Sequence, residues 1–390
     1  MCRPWQHSSS VTKPGRVQES LFNLHCDVRF GDAVTEKLEV QPDQRTRQRQ
    51  AGEITSIFRT AQDENRQSWL NAVHPQVPRT LYHYTTGSGL VGIIKSHSLW
   101  ASDVRFMNDA SELIYAAQLI ADVIGEVLEA VSDEQLLSAF PRLPTLVNVL
   151  EYGPQPFCAC FCEDGDLLSQ WRGYTAGQIG YSLGIDLMVP EFALHLPRNT
   201  FLRKVMYSET QQRSWVRNIA ETWLHTAQEL LNSDSPLSKF DVFPHAAVSA
   251  LQEVLIEPHL CFKNPAFSEE QEWRFIKLIH IQDELDLVRD QQAQAQAAQW
   301  GVELPDFPAR SNAEGIDIKF RQSSLGFVPY IELSLKHRSG PFMNRLALEK
   351  VIQGPAANPR LSCQSLAMYI QSHGYGFPST EIRPSRIPLR

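Results

Sequence analysis

The residues best suited to chemistry in this sequence are one histidine and two carboxylates, placed in two distant β-prone runs. His83 lies in the run Leu81–Thr85, where a purely structural strand would be apolar. Glu270 and Glu272 stand two residues apart, where the run Glu272–Ile279 begins. If these runs are neighbouring strands of one sheet, His83 and Glu272 lie in one cleft. Glu270 then lies on the same side of its strand as Glu272 and can deprotonate a nucleophile.

The same residues also allow a purely structural interpretation. Buried polar side chains are normally hydrogen-bonded, so His83 can be a satisfied histidine without a functional role. Glu272 can be the ion-pair partner of Arg274 or Arg172, because buried charges are normally paired. Spacing alone leaves both interpretations open.

A serine motif provides a further alternative. The segment Gly180–Gly184 satisfies the G-x-S-x-G pattern of hydrolases, with Ser182 in the position of the nucleophile. That motif needs a sharp turn from a strand into a helix, whereas here the segment continues into Ile185, Asp186 and Leu187 without a helical pattern. The chain contains no G-x-x-x-x-G-K-S/T loop, no G-x-G-x-x-G and no H-E-x-x-H. Simple kinase, ATPase, Rossmann and zincin functions are therefore excluded.

Three cysteines, Cys158, Cys160 and Cys162, alternate along one run and therefore point to one side of a strand. Their spacing lacks the C-x-x-C pattern of a tetrahedral zinc site, and buried thiols behave as small hydrophobic groups. We therefore expect them to pack in the core and expect no metal. A nucleophilic role for Cys162 in a hydrolase is disfavoured, because the adjacent Glu163 and Asp164 would raise its pKa.

Composition and charge describe a globular chain without a general affinity for polyanions. Of the 390 residues 43% are hydrophobic, and the formal charge of -8 provides no global positive field for nucleic acid or an anionic membrane. No apolar run approaches the roughly 20 residues of a membrane helix, and residues 1–15 lack the apolar core of a secretory signal. The seven cysteines form no disulfide framework. We therefore expect a cytoplasmic protein with reduced thiols and no membrane contact.

The hydrophobic pattern predicts an α/β domain after a polar N-terminal extension. Residues 1–79 are rich in Gln, Arg and Ser, and we expect them to pack weakly. The domain spans residues 80–390 and begins with a strand, a turn and a helix, for which Ser88 is the expected N-cap. An insertion is expected at about residues 283–320, which are rich in Gln, Ala and Pro. The remaining runs predict a split sheet, largely antiparallel or mixed, with flanking helices.

Several short blocks of sequence carry a resemblance to a known family. In chain order the blocks are Leu81–Thr86, Asn108–Asp109, Cys160–Asp164, Gln170–Tyr174, Gly180–Asp186, Glu270–Arg274, Ile352–Pro355 and Ser385–Pro388. Together they resemble the signature blocks of the bacterial domain-of-unknown-function family 2971, over about residues 80–390. Where that family usually shows Cys-Phe-Ser, this chain has Cys162 in place of the serine.

A more distant resemblance suggests an activity. The strand with His83, Tyr84 and Thr85 and the helix after it are similar to the first strand and helix of ADP-ribosyltransferases of the His-Tyr-Glu kind. The segment Glu270–Glu272 resembles the Glu-x-Glu loop of the related Arg-Ser-Glu branch. This resemblance implies an ADP-ribosyltransferase-like split sheet and NAD as the substrate, without a metal.

The same resemblance assigns roles to residues. His83 would bind the NAD ribose, Glu272 would stabilise the positive charge that develops on the ribose, and Glu270 would deprotonate the acceptor. The residues expected to bind NAD are Tyr84, Thr85, Trp171, Arg172, Tyr174 and Tyr181, with a tyrosine stacking on nicotinamide and the arginine holding a phosphate.

The function implied is NAD-dependent ADP-ribosyl transfer, or NAD glycohydrolysis, to a protein or nucleic-acid acceptor, as in a toxin or an anti-phage effector. The alternatives are a non-catalytic binding or regulatory module, in which His83, Trp171, Arg172 and Glu272 form a buried polar network, and a serine or cysteine hydrolase.

Overall fold

A computed structural model describes most of the chain between Gln44 and Pro388. The described residues are 44–73, 76–107, 110–140, 154–174, 179–187, 199–233, 235–279, 316–323, 326–337, 343–376 and 379–388. Helices and strands are both abundant, and the described strands form one large mixed sheet. The expected α/β class is therefore confirmed. Asn108, Asp109 and most of the expected insertion lie outside the described residues.

The elements follow one another in an irregular alternation. Within the described ranges, helices α1 to α8 span Gln44–Val73, Gly87–Ser96, Ala110–Glu129, Glu134–Ala139, Leu168–Tyr174, Glu209–Asn232, Phe243–Cys261 and Pro359–Ser372. Strands β1 to β10 span Thr80–Thr85, Leu99–Asp103, Gln155–Cys162, Tyr181–Asp186, Thr200–Lys204, Glu272–Ile279, Lys319–Ser323, Gly326–Leu333, Leu348–Gln353 and Glu381–Pro384. Short 3-10 turns occupy Val104–Phe106, Pro236–Lys239 and Pro265–Glu270.

Strand β3 is the hub of the sheet. The strand order is β10-β9-β4-β1-β3-β2-β8-β7, and β6, followed by β5, branches from β3. One edge of β3 pairs along its whole length with β6. Its other edge meets β1 through the pair Tyr82–Cys162 and meets β2 near its opposite end, through the pair Ser102–Cys158. Strands β1 and β2 thus diverge along β3, which gives a split sheet.

The two faces of the sheet carry different sets of helices. Paired residues of neighbouring antiparallel strands point to the same side, and successive residues point to opposite sides. One side, the two-helix face, packs Phe157 and Phe161 of β3 with the apolar residues of α2 and α8. The other side, the four-helix face, packs Cys158 of β3 and Ile276 of β6 against α1, α3, α6 and α7. The short helix α5 lies beside a smaller cluster that contains Cys162.

Local sequence explains how the first strand passes into the helix that covers the two-helix face. Leu90, Ile93 and Ile94 recur at helical spacing and are buried. The N-cap of this helix is Thr86, whose side chain accepts a hydrogen bond from the backbone of Gly89. Ser88 was the expected N-cap, but the observed cap lies two residues earlier and the helix begins at Gly87, so Ser88 lies inside its first turn.

Helix α1 departs from the prediction of a weakly packed N-terminal extension. Ile54 and Phe58 are 0% and 1% exposed and lie in the core shared with α6 and α7. The Phe58 ring stacks on Trp223 with a centroid distance of 5.8 Å. Residues 44–73 therefore belong to the folded domain, because a narrow apolar stripe of this otherwise polar helix is fully buried. Residues 1–43 lie outside the described part of the chain.

Candidate functional site

The structure places His83 and Glu272 on opposite faces of the sheet. The register pairs Tyr82 with Cys162 and Cys162 with Glu272, so these three side chains share the four-helix face. His83 follows Tyr82 directly and therefore points to the two-helix face, where its ring lies 5.8 Å from that of Phe161. The expected shared cleft is thus not formed by these two residues, because β3 lies between β1 and β6 and the register places the two side chains on opposite faces.

The imidazole of His83 lies where β1 and β3 separate. Its Nδ1 lies 2.9 Å from the carbonyl oxygen of Cys160, which β1 does not pair because the strands diverge there. Burial lowers the pKa of His83, although the hydrogen bond to Cys160 acts in the opposite direction. The histidine is therefore satisfied by the backbone, as the structural interpretation requires.

Glu272 belongs to a group of five charged side chains, the charged cluster. Its members are Glu112, Lys263, Glu270, Glu272 and Arg274. Nζ of Lys263 lies 2.7 Å from a Glu112 oxygen and 2.6 Å from a Glu270 oxygen. It also lies 3.0 Å from Oε2 of Glu272. Nε of Arg274 donates to Oε1 of Glu272 at 2.9 Å, and its Nη2 donates to Oε2 of Glu112 at 2.5 Å.

Five local features of the chain bring this cluster together. Glu112 lies in the first turn of α3 and Lys263 follows the end of α7. Glu270 is the last residue of a 3-10 turn, and Glu272 and Arg274 alternate on β6. Gln271 connects the turn to the strand with a φ of 42°, a left-handed conformation that lets the chain reverse there.

The two neighbouring glutamates have pKa values shifted in opposite directions. Burial would raise the pKa of Glu272, but Arg274 and Lys263 bring it down to about 2. Burial raises the pKa of Glu270, because its single contact with Lys263 does not offset the loss of solvent and the charge of Glu272. Glu272 is therefore permanently ionised, while Glu270 takes up a proton more readily than an ordinary glutamate. Such a divergence within one site is typical of acid–base pairs.

Exposure and hydrogen bonding also separate these two glutamates. The side chain of Glu272 is 5% exposed, and both of its oxygens bind Arg274 or Lys263. Both oxygens of Glu112 are likewise occupied. The side chain of Glu270 is 20% exposed, and among the described residues only its Oε2 has a partner. Oε1 of Glu270 is thus the carboxylate oxygen of the cluster that can receive a proton from a ligand.

The residues expected to bind NAD are divided between the two faces. Tyr84 is on the four-helix face, where its ring meets Trp171 edge-on at 4.8 Å. Its hydroxyl donates to the Asp164 carbonyl and accepts from the Leu167 backbone. Both rings are buried, so the pair packs as part of the fold.

The other expected NAD ligands lie elsewhere. Thr85 and Tyr181 are paired in register and share the two-helix face with His83. Arg172 is solvent-exposed on α5. The side chain of Tyr174 lies outside the described residues.

The serine and cysteine alternatives meet unfavourable geometry. Ser182 lies inside β4, is 0% exposed, and has no hydrogen-bond partner for its hydroxyl among the described residues. The sharp exposed turn that a hydrolase serine needs is not formed at this position. Cys162 is buried, and burial together with Glu272 and Glu270 raises the pKa of its thiol well above the usual range. Cys158 and Cys160 pack with their sulfur atoms 3.9 Å apart.

Glu112 and Lys263 complete the charged cluster and were not predicted from the sequence. Lys263 could have been noticed as a lone cation directly after the apolar end of α7. Glu112 carries no such signal, because an acidic residue in the first turn of a helix is common.

No helix in the described part of the chain is long and apolar enough to cross a membrane.

Comparison with known proteins identifies one family. The family described as "Protein of unknown function (DUF2971)" matches residues 170–275, which confirms the expected resemblance over that range. The matched range contains Lys263, Glu270, Glu272 and Arg274. No curated protein and no solved structure matches the chain.

Proposed function

We propose that this protein cleaves the N-glycosidic bond of NAD, by ADP-ribosyl transfer or by hydrolysis, and that Glu270 is the reacting carboxylate. The observation that carries the proposal is that Oε1 of Glu270 has no partner among the described residues, on a carboxylate with a raised pKa, beside a fully ion-paired Glu272. A raised pKa makes a carboxylate a stronger base, and proton transfer by such a positioned group is what general acid–base catalysis requires.

The charge of the cluster suits this chemistry. Three carboxylates face two cations, so the cluster is negative overall when all five groups are ionised. Breaking the N-glycosidic bond places positive charge on the ribose in an oxocarbenium-like transition state. Fixed negative charge in a site that largely excludes water stabilises such a state without reorganisation.

The reaction has a simple balance. The bond between ribose C1′ and the nicotinamide nitrogen breaks, and nicotinamide leaves with the bonding electron pair. A hydroxyl or amine nucleophile of the acceptor, or water, forms the new bond to C1′. Its proton passes to Oε1 of Glu270, while Glu272 holds Lys263 and Arg274 and so fixes the cluster. In this proposal Glu272 positions the site and His83 takes no part, in contrast to the roles implied by resemblance.

The second candidate is a non-catalytic binding or regulatory module. It is favoured by the complete ion pairing of Glu272 and by the backbone hydrogen bond of His83 on the other face. In this candidate Glu270 completes the ion-pair network and no substrate meets its free oxygen.

The test is release of labelled nicotinamide from NAD by the full chain and by two variants. Glu270→Gln keeps the size of the side chain but cannot accept the proton, and general-base catalysis typically contributes about 100-fold or more to a rate. We expect a loss of that size. Glu269→Gln changes an exposed neighbour of the same type and should leave turnover unchanged.

Two results would count against the proposal. Equal turnover per folded molecule in Glu270→Gln and the parent chain would overturn the role of Glu270. An inactive parent chain, tested with water, protein and nucleic acid as acceptors, would overturn NAD cleavage and favour the binding module.

The wider role belongs to the same proposal. The described cysteines are free thiols, which supports a reducing compartment such as the cytoplasm. Transfer to a protein or nucleic acid, in a toxin or an anti-phage effector, would appear as label from the adenylate part of NAD on a macromolecule rather than on free ADP-ribose.

A further inference from the structure

A carboxylate outside the charged cluster ties three distant segments together. Oδ1 of Asp166 accepts from Nε1 of Trp171 at 2.9 Å and from the hydroxyl of Ser385 at 2.5 Å. Its Oδ2 accepts from the backbone of Arg386 at 2.8 Å. The guanidinium of Arg383 lies 3.6 Å away. Asp166 thus joins the loop after β3, the helix α5 and the segment after β10.

The segment after β10, residues 385–388, lies across the small cluster next to the charged site. The backbone of Ser385 donates to the Gln353 carbonyl of β9 at 2.6 Å, and its hydroxyl accepts from the Ile387 backbone. Ile387 packs against the small cluster that contains Cys162, and Tyr82 packs against the same cluster. We call residues 385–388 the strap.

The loop beneath the strap is held tightly against Tyr82. A Cβ on Gly165 would lie 2.4 Å from the Tyr82 ring, so this close approach requires glycine. Tyr82, Cys162 and Glu272 are consecutive in one row across β1, β3 and β6. Ile387 of the strap, Gly165 of the loop and Tyr82 therefore lie around one small cluster, and Tyr82 stands at the end of the row opposite Glu272.

We propose that Asp166 is a positioning residue that locks the strap against the small cluster that contains Cys162, and that release of the strap opens the approach to the charged cluster. Four of the sequence blocks that carry the resemblance described above, at residues 160–164, 170–174, 352–355 and 385–388, meet at this lock. Its consequence for turnover rests on the proposed function, but the opening itself does not.

The opening is tested first without NAD. Trypsin can cleave after Arg386 only when the strap leaves the surface, and loss of the residues beyond it is visible as a change of intact mass. In Asp166→Asn the charged acceptor of the lock is lost. Hydrogen bonds to charged groups are commonly worth more than a tenfold change in an equilibrium, so we expect cleavage about tenfold faster or more. Alkylation of Cys162, followed by peptide mass analysis, should accelerate in parallel.

Asp164→Asn is the matched control. Asp164 is exposed in the same loop, and its side chain accepts only from the backbone of Asp166 among the described residues. It should leave both rates close to those of the parent chain. Ser385→Ala removes a single hydrogen bond of the lock and should give an intermediate cleavage rate.

The outcomes separate the lock from the activity. Unchanged cleavage after Arg386 in Asp166→Asn would overturn the strap, whatever the activity. Faster cleavage with unchanged Cys162 alkylation would overturn its role in covering the site. If the parent chain turns over NAD, a change in KM larger than that in kcat is expected for Asp166→Asn, and equal kinetics would overturn the link to the charged cluster. An inactive parent chain with both rates increased would leave the strap supported and overturn the proposed function.

Discussion

Two buried groups of charges lie on the four-helix face, and they differ in the balance of their charges. In the Glu257 triad, one carboxylate of α7 meets Arg66 of α1 and Arg203 of β5. Arg66 donates twice to Oε2 of Glu257, at 2.8 and 2.5 Å, and Arg203 donates to Oε1. Each oxygen of this carboxylate is therefore occupied by a guanidinium.

The charged cluster reverses that balance, with three carboxylates around two cations. Glu112 and Glu272 resemble Glu257, because both of their oxygens are paired, whereas Oε1 of the 20% exposed Glu270 has no partner among the described residues. Buried ion pairs are weak evidence of function, since many serve the fold alone. The carboxylate oxygen without a partner among the described residues, rather than the number of charges, therefore distinguishes the charged cluster, a candidate catalytic site, from the Glu257 triad, a structural ion-pair group.

The largest effect is expected from deleting residues 1–75, which removes α1 and with it Arg66 of the triad. The deletion exposes the apolar surface of α6 and α7 that Ile54 and Phe58 cover, and large losses of core area exceed the stability of most domains. We expect loss of the cooperative thermal transition. Deleting residues 1–43 alone is the control, and equal melting of the two truncated chains would contradict the packing of α1.

Glu272→Gln should have the next largest effect, and it should act on stability. The change leaves Lys263 and Arg274 without a full counter-charge in a buried site, and breaking such a pair typically costs about 3–5 kcal/mol. Denaturant unfolding of the variant and the parent chain measures the difference. An unchanged unfolding free energy combined with lost turnover would return Glu272 to the catalytic role implied by resemblance.

Glu257→Gln should cost less, on the order of 2 kcal/mol. Its partners Arg66 and Arg203 are 33% and 20% exposed, so they can turn toward water when the charge is removed. The same unfolding measurement applies, with no effect expected on turnover per folded molecule. A loss of stability above that of Glu272→Gln would reverse the proposed ranking of the two groups.

Glu270→Gln should change the unfolding free energy least, by less than about 1 kcal/mol, because its carboxylate is partly solvated and paired once. The variant is distinguished by the pH dependence of its unfolding free energy. The folded pKa is raised above 4.5, so the folded state binds the proton more tightly, and the contribution of Glu270 to stability grows as the pH falls through the folded pKa toward 4.5. Subtracting the variant profile from the parent profile should give that slope, and a slope of opposite sign would show a lowered pKa.

The fold could be predicted from the sequence where the hydrophobic residues follow the period of a helix or a strand. The apolar residues of α6, Trp215, Ile219 and Trp223, stand at helical spacing in the sequence and are buried, and the β-prone run Glu272–Ile279 forms a strand as expected. Helix α1 was underestimated, because two fully buried residues in a polar segment give little signal. The register between β1 and β3 decided which face His83 occupies, and a shift of one residue cannot be predicted from either strand alone.

The site was accessible only in part for a related reason. Glu270 and Glu272 stand two residues apart in the sequence and could be identified together. Lys263 and Glu112 reach them from the end of α7 and the start of α3, and only tertiary packing sets those distances. The roles of the two glutamates depend on these missing partners, because the cations lower the pKa of Glu272 and leave that of Glu270 raised.

The contact between α1 and α7 has a consequence for synthesis of the chain. Arg66 and its partner Glu257 are separated by 191 residues. At about 5–20 residues per second, the ribosome needs about 10–40 s to reach Glu257 after Arg66 has been made. Until α6 and α7 have both been made, the apolar stripe of α1 has no complete surface to cover, and an isolated helix of this kind is marginally stable in water. The nascent chain therefore depends on protection of α1, and slowed translation before residue 257 should lower the yield of soluble protein.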